Sequence, residues 1–150
     1  MEQISFDVKS ARGTATIARD LAAEIIKTRP GRGAVVVGLN GELGSGKTVF
    51  VKSFMRALGV RRRVISPTFI LMRNFKLKGH YTRAYHVDAY RTDDKSLSRL
   101  GFKRVLGDPK NIVLIEWAGR ARRLLPRSAI MINFEHGIKQ NERRLTFNRR

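Results

Sequence analysis

The chain has 150 residues, of which 42% are hydrophobic and 29% charged, so we expect one globular domain (residues 1–150) with a single core. It contains no cysteine, which excludes a disulfide framework, thiol catalysis and zinc–thiolate sites. Lys and Arg total 31 against 12 acidic residues; this net charge of +19 either favours polyanionic partners or reflects drift in genomic base composition.

The N-terminal part predicts two strands with a helix between them. It lacks the apolar core of a signal peptide, and no apolar run reaches the ~18 residues of a membrane span, so we expect a cytoplasmic protein. Residues 4–8 alternate like a strand, and residues 16–27 carry an apolar stripe at helical spacing. Residues 34–40 are apolar and β-branched, which favours a buried parallel strand.

The next segment is a complete phosphate-binding loop of the form G-x-x-x-x-G-K-[ST]. Its glycines allow consecutive backbone N–H groups to turn inward around phosphate oxygens. Lys47 can bridge the terminal phosphates, and the Thr48 hydroxyl can ligate Mg²⁺. The apolar residues of 48–58 recur at i, i+4, so a helix should follow the loop. The candidate cofactor-binding residues are Gly41, Glu42, Leu43, Gly44, Ser45, Gly46, Lys47 and Thr48.

Two segments after this helix each allow two interpretations. The run Arg61-Arg62-Arg63 is either a solvated loop or a contact with a nucleic-acid backbone. In Ser66-Pro67-Thr68, the proline forces extended backbone, and the hydroxyls either flank a strand entry or sense a terminal phosphate, as switch loops do.

Carboxylates follow two later strands. Residues 69–75 and 81–87 are strand-like, and Asp88 ends the second of them; residues 112–115 form an apolar strand that ends at Glu116. Ligands of open α/β sheets bind at the carboxyl ends of strands, so Asp88 is a candidate Mg²⁺ ligand and Glu116 a candidate neighbour of the attacking water. Glu116 could instead be a helix-start charge, and His86 alone favours a structural histidine.

The C-terminal part predicts a helix over 93–106 interrupted by Gly101, and a short basic helix over 118–125. The arginines of the latter form either a kinase-like lid or a solvated face. Residues 129–134 and 143–147 indicate a closing hairpin. The predicted fold class is therefore α/β: a three-layer P-loop NTPase-like fold with a mostly parallel central sheet and a C-terminal β-hairpin.

Taken together, these motifs resemble one family. The phosphate loop, Ser66-Pro67-Thr68-Phe69, His86-x-Asp88-x-Tyr90-Arg91, Leu100-Gly101-Phe102 and Ile115-Glu116-Trp117 occur in the order found in the TsaE (YjeE) family. These are small bacterial P-loop ATPases of tRNA threonylcarbamoyladenosine formation. Glu42 stands where the family usually has aspartate.

The resemblance implies roles for individual residues. Lys47 and the loop amides would hold ATP, Thr48 and Asp88 would serve Mg²⁺, and Thr68 would belong to a switch-like loop. Glu116 would act near the attacking water, with Trp117 beside the nucleotide. The implied partners are TsaD and TsaB, which modify position 37 of ANN-decoding tRNAs. The resemblance implies that this chain is only a weak ATPase in the absence of these partners. A small-molecule kinase and a basic RNA-binding module with a nucleotide switch are the alternatives.

Overall fold

The computed structural model describes residues 2–64 and 71–150, so the predictions for Ser66 and Thr68 lie outside the described residues. The described strands are β1 (Ile4–Val8), β2 (Val35–Asn40), β3 (Met72–Lys76), β4 (Arg83–Asp88), β5 (Asn111–Glu116), β6 (Ile130–His136) and β7 (Arg143–Arg149). The described helices are α1 (Ala11–Lys27), α2 (Lys47–Ala57), α3 (Asp94–Arg99), α4 (Phe102–Gly107) and a 3₁₀ helix (Ala118–Leu124).

The strands form one sheet in the order β1-β7-β6-β2-β5-β4-β3. The four central strands, β6, β2, β5 and β4, are parallel to their neighbours in this group. The remaining described pairings, β1 with β7, β6 with β7 and β3 with β4, are antiparallel. The α/β class and the C-terminal hairpin are thus confirmed, whereas the sheet is parallel only at its centre, because β7 and β1 on one side and β3 on the other pair antiparallel.

Helices cover both faces of the sheet and make three layers. On one face, α1 and α2 bury their apolar sides, and Phe50 packs against Phe54 and against Phe134 of β6, with ring centroids 6.0 and 5.6 Å apart. On the other face, Leu97, Phe102 and the 3₁₀ helix enclose a second apolar cluster. The central strands are buried on both sides, which explains their continuous apolar sequences.

Two helix predictions need correction, and one is confirmed. The first helix begins at Ala11 and not at residue 16, because the chain already turns after Ser10, the N-cap. The interruption predicted at Gly101 is confirmed, since this residue adopts a left-handed φ of 82° between two short helices. The basic segment after Trp117 is a 3₁₀ helix with a non-helical residue, Ala121, inside it. No helix in the described ranges is long and apolar enough to cross a membrane.

Candidate functional site

The phosphate loop connects β2 to α2 and depends on its glycines. Gly44 and Gly46 have left-handed φ values of 78° and 104°, and Gly46 is the N-cap of α2. A Cβ atom on Gly41 would lie 2.8 Å from Ser45 Oγ and 2.9 Å from Phe134 Cβ. The loop is therefore packed closely from below, and the N-terminal amides of α2 face the cleft above it.

Lys47 is buried at the base of this cleft. Its ammonium Nζ donates a hydrogen bond to the Gly41 carbonyl at 2.5 Å and lies 3.8 Å from the centroid of the Trp117 ring. Burial lowers the pKa of Lys47, and the negative charges of Glu116 and Asp88 offset part of that effect. The Lys47 ammonium is thus held by the Gly41 carbonyl and the Trp117 ring, in the field of two carboxylates.

The two carboxylates come from neighbouring strands at the same level of the sheet. Asp88 ends β4 and Glu116 ends β5, and their Cα atoms are register partners in the parallel pair. Neighbouring strands lie about 4.8 Å apart, so both acids reach the same edge. The Asp88 Oδ1 atom accepts a hydrogen bond from the Tyr90 amide at 3.0 Å, where the chain leaves the strand.

His86 is a partner of Glu116. Its Nε2 atom lies 2.7 Å from Glu116 Oε2, and the imidazole is 2% exposed. Because an ionised carboxylate can only accept, Nε2–H donates this hydrogen bond. The structural interpretation of His86 is compatible with this contact, but the residue that it orients is itself a candidate for catalysis.

Trp117 reaches the cleft through an unusual backbone conformation. Its φ is +56°, which is uncommon for a bulky residue, and it is the N-cap of the 3₁₀ helix. This turn directs the ring toward Lys47 and against Tyr90, whose ring centroid is 4.8 Å away. The guanidinium of Arg120 lies over the Tyr90 ring of this pair, 5.5 Å from its centroid.

These groups surround one cleft of about 520 Å³. Among the predicted site residues, it is lined by Leu43, Gly44, Gly46, Lys47, Thr48, Asp88, Glu116 and Trp117. The predicted residues Gly41, Glu42 and Ser45 do not line it, since Gly41 and Ser45 pack against each other beneath the loop and Glu42 is exposed to solvent. Arg120, Arg122 and Arg123, all within the described residues, do not line the cleft either.

Sequence reasoning missed Arg143 and the start of α1 as parts of this site. Arg143 of β7 lines the cleft, and its Nη2 donates to the Gly44 carbonyl at 3.0 Å, which ties the hairpin to the loop. Ala11 and Thr14 of α1 also line the cleft. Only the strand character of 143–147 was predicted from the sequence, because a contact between residues 99 positions apart leaves no local pattern.

The residues of the loop and of the cleft fit a nucleoside triphosphate with Mg²⁺. The loop has no room for a side chain at Gly41, and the buried Ser45 hydroxyl has no hydrogen-bond partner in the described part of the chain. Thr48 and Asp88 offer oxygen donors of the kind that Mg²⁺ prefers. Residues 2–64 and 71–150 contain no group of three His, Cys, Asp or Glu that could hold a metal, so the remaining ligands would be phosphate and water.

Comparisons with known proteins agree with one family. The model of the family "Threonylcarbamoyl adenosine biosynthesis protein TsaE" matches residues 8–145. The chain is 33% identical over 147 residues to the tRNA threonylcarbamoyladenosine biosynthesis protein TsaE of Bacillus subtilis, covering 98% of this chain and 86% of that protein. It is 32% identical over 115 residues to the Haemophilus influenzae protein of the same name, covering 76% and 71%. The crystal structure of Bacillus subtilis YdiB superimposes with a TM-score of 0.70 at 28% identity, covering 97% of this chain and 84% of that chain.

Proposed function

This chain belongs to the TsaE family of threonylcarbamoyl adenosine biosynthesis proteins, and from that premise we propose that it is a cytoplasmic, Mg²⁺-dependent ATPase. It would act as an accessory subunit, weak as an ATPase alone, in the modification of position 37 of ANN-decoding tRNAs. Its partners would be TsaD and TsaB, which transfer the threonylcarbamoyl group to the tRNA. ATP binding and hydrolysis by this chain would support the turnover of TsaD and TsaB.

The observation that carries the proposal is the convergence of Lys47, Asp88 and Glu116 on one cleft. All three side chains line this cleft, and the two carboxylates stand side by side at the ends of parallel strands. A phosphate loop alone is a generic motif, but this pair of acids beside it is what phosphoryl transfer to water requires.

Each group has a distinct task in this proposal. The loop amides and Lys47 bind the triphosphate, and the Trp117 ring excludes water on the outer side. Glu116 holds the attacking water in line with the γ-phosphate and accepts its proton, while His86 fixes the carboxylate. Thr48 and Asp88 would hold Mg²⁺, which would supply charge neutralisation for the phosphates. Positioning and electrostatics provide the acceleration.

The experiment compares Lys47→Ala with Glu116→Gln. Trp117 is the sole tryptophan, so its fluorescence reports nucleotide binding without interference. We expect Lys47→Ala to lose tight ATP binding, whereas Glu116→Gln keeps binding and lowers turnover by roughly 10²-fold, the range of a lost general base. Arg99→Gln, on the exposed side of α3, is the control and should behave like the unchanged chain.

Three results would contradict the proposal. Unchanged ATP turnover in Glu116→Gln would remove that residue from the chemistry. Phosphate transfer from ATP to a metabolite, and not to water, would assign a small-molecule kinase. In a reconstituted assay with TsaD, TsaB and tRNA, modification that proceeds equally well with Lys47→Ala would separate this chain from the modification reaction.

A further inference from the structure

A second cleft, of about 510 Å³, lies at the C-terminal end of α2. It is lined by Lys52, Arg56, Val60, Arg61, Arg62, Arg63 and Val64, and we call it the basic cleft. All five cations are exposed, and none forms an ion pair or a side-chain hydrogen bond with the described residues. Their charge is therefore not used to hold the described fold together.

The surrounding sequence strengthens this positive field. Between Glu42 and Asp88 the chain has no acidic residue, but ten lysines and arginines. Lys52 and Arg56 stand four residues apart on α2, where like charges repel each other. Five exposed cations that line one cleft, with no described acid paired to them, favour an external polyanion.

We propose that the basic cleft binds the phosphate backbone of RNA. Arginine predominates there, and its planar fork matches phosphate oxygens in a bidentate manner. No aromatic residue among those described lines the cleft, so bases have no stacking platform there, and we infer that it contacts backbone without selecting sequence. The choice of RNA among polyanions rests on the proposed function, since tRNA is the nucleic acid that is modified in that reaction.

The basic cleft is separate from the nucleotide cleft but adjacent to its back wall. The first residues of α2, Lys47 to Val49, line the nucleotide cleft, whereas Lys52 and Arg56 farther along the same helix line the basic cleft. A small cavity of about 60 Å³ adjoins both clefts: it shares Lys52 and Val64 with the basic cleft, and Thr48 and Glu116 with the nucleotide cleft.

The test measures binding of a tRNA transcript as a function of salt. With five phosphate contacts, raising the salt concentration from about 50 to about 200 mM should weaken tRNA binding roughly 500-fold. The triple variant Arg61→Gln, Arg62→Gln, Arg63→Gln removes three of these contacts, so the same rise in salt should weaken its tRNA binding only roughly 12-fold. At the lower salt, the triple variant should bind at least about tenfold more weakly. The triple Arg→Lys variant, which keeps the charge, should retain the salt dependence.

The matched control removes the same charge from the other face of the sheet. Arg99, Lys103 and Arg104 are exposed on α3 and α4, and their triple Gln variant should bind tRNA nearly as the unchanged chain does. Equal loss in both triple variants would show a general charge effect and overturn the proposal, as would the absence of tRNA binding by the unchanged chain. Lys47→Ala should lose ATP but keep tRNA, which separates failure here from failure of the ATPase assignment.

Discussion

The substitution Gly41→Ala tests how closely the phosphate loop is packed. The new methyl group would meet Ser45 Oγ at 2.8 Å and Phe134 at 2.9 Å, distances that real Cβ atoms do not adopt. The φ of Gly41 is +152°, a conformation that alanine disfavours. Both effects act on the residue whose carbonyl accepts the hydrogen bond of the Lys47 ammonium.

The free energy of unfolding should fall by the sum of two costs. Overpacking of a closely packed site costs about 1–3 kcal/mol. Backbone strain at positive φ costs about 1–3 kcal/mol. The total of about 2–6 kcal/mol is a large share of the ~5–15 kcal/mol that stabilises a typical domain. At about 2–4 °C per kcal/mol, the mid-range value lowers Tm by roughly 12 °C.

Two glycines provide matched controls for this substitution. Gly44 has a φ of +78°, but no atom lies within 4 Å of the position that a Cβ would occupy, so Gly44→Ala should show the strain alone, about 1–3 kcal/mol. Gly31 has neither constraint, so Gly31→Ala should be neutral or stabilising by ~0.4–1 kcal/mol.

The assay is thermal unfolding followed by circular dichroism, together with ATP titration followed by Trp117 fluorescence. We expect the order of Tm to be Gly31→Ala, Gly44→Ala, Gly41→Ala from highest to lowest. ATP affinity of Gly41→Ala should fall by about tenfold or more, since a loss of ~1.4 kcal/mol from misplacing the Lys47 ammonium already has that effect. A Tm for Gly41→Ala no lower than that of Gly44→Ala would refute the close packing below the loop.

Three further predictions concern pairs that the fold brings together. The exposed pair of Asp7 and Arg144 joins β1 to β7, and the hydrogen bond from Arg144 lowers the pKa of Asp7. The small stabilisation from this pair is therefore present above the ordinary aspartate pKa and is lost as the pH falls through the lowered pKa of Asp7. The Tm difference between Asp7→Asn and the unchanged chain should vanish in acid. His86→Ala removes the donor to Glu116 and should lower kcat for ATP about tenfold with little change in KM, whereas His86→Gln, which can donate, should recover part of it. Arg143→Gln breaks the tie to the loop carbonyl and should weaken ATP binding by about 0.5–1.5 kcal/mol in a fluorescence titration, with hydrolysis at saturation unchanged.

Local sequence patterns were sufficient to predict β2, α2 and the phosphate-binding chemistry of the loop between them. The run 34–40, the glycines of 41–46 and the apolar face of α2 each specify a conformation through their own backbone and burial preferences, and the structure has β2, the loop and α2 in those places. The acids at the ends of β4 and β5 were visible for the same reason: the apolar run of a buried strand shows where it stops. Family membership, too, followed from motifs that are short and in order, and it is confirmed.

The partners of these elements could not be read from such patterns. That Asp88 and Glu116 are register partners, that His86 donates to Glu116, and that Arg143 binds the loop all depend on strand order and on contacts across 28 to 99 positions. The antiparallel pairings of β1 with β7 and of β3 with β4, and the left-handed turn at Trp117, were equally invisible. Periodicity and turn chemistry act within a few residues, whereas pairing is chosen by the burial of the whole core, because each strand can satisfy its hydrogen bonds with any neighbour and the packing of both faces selects one.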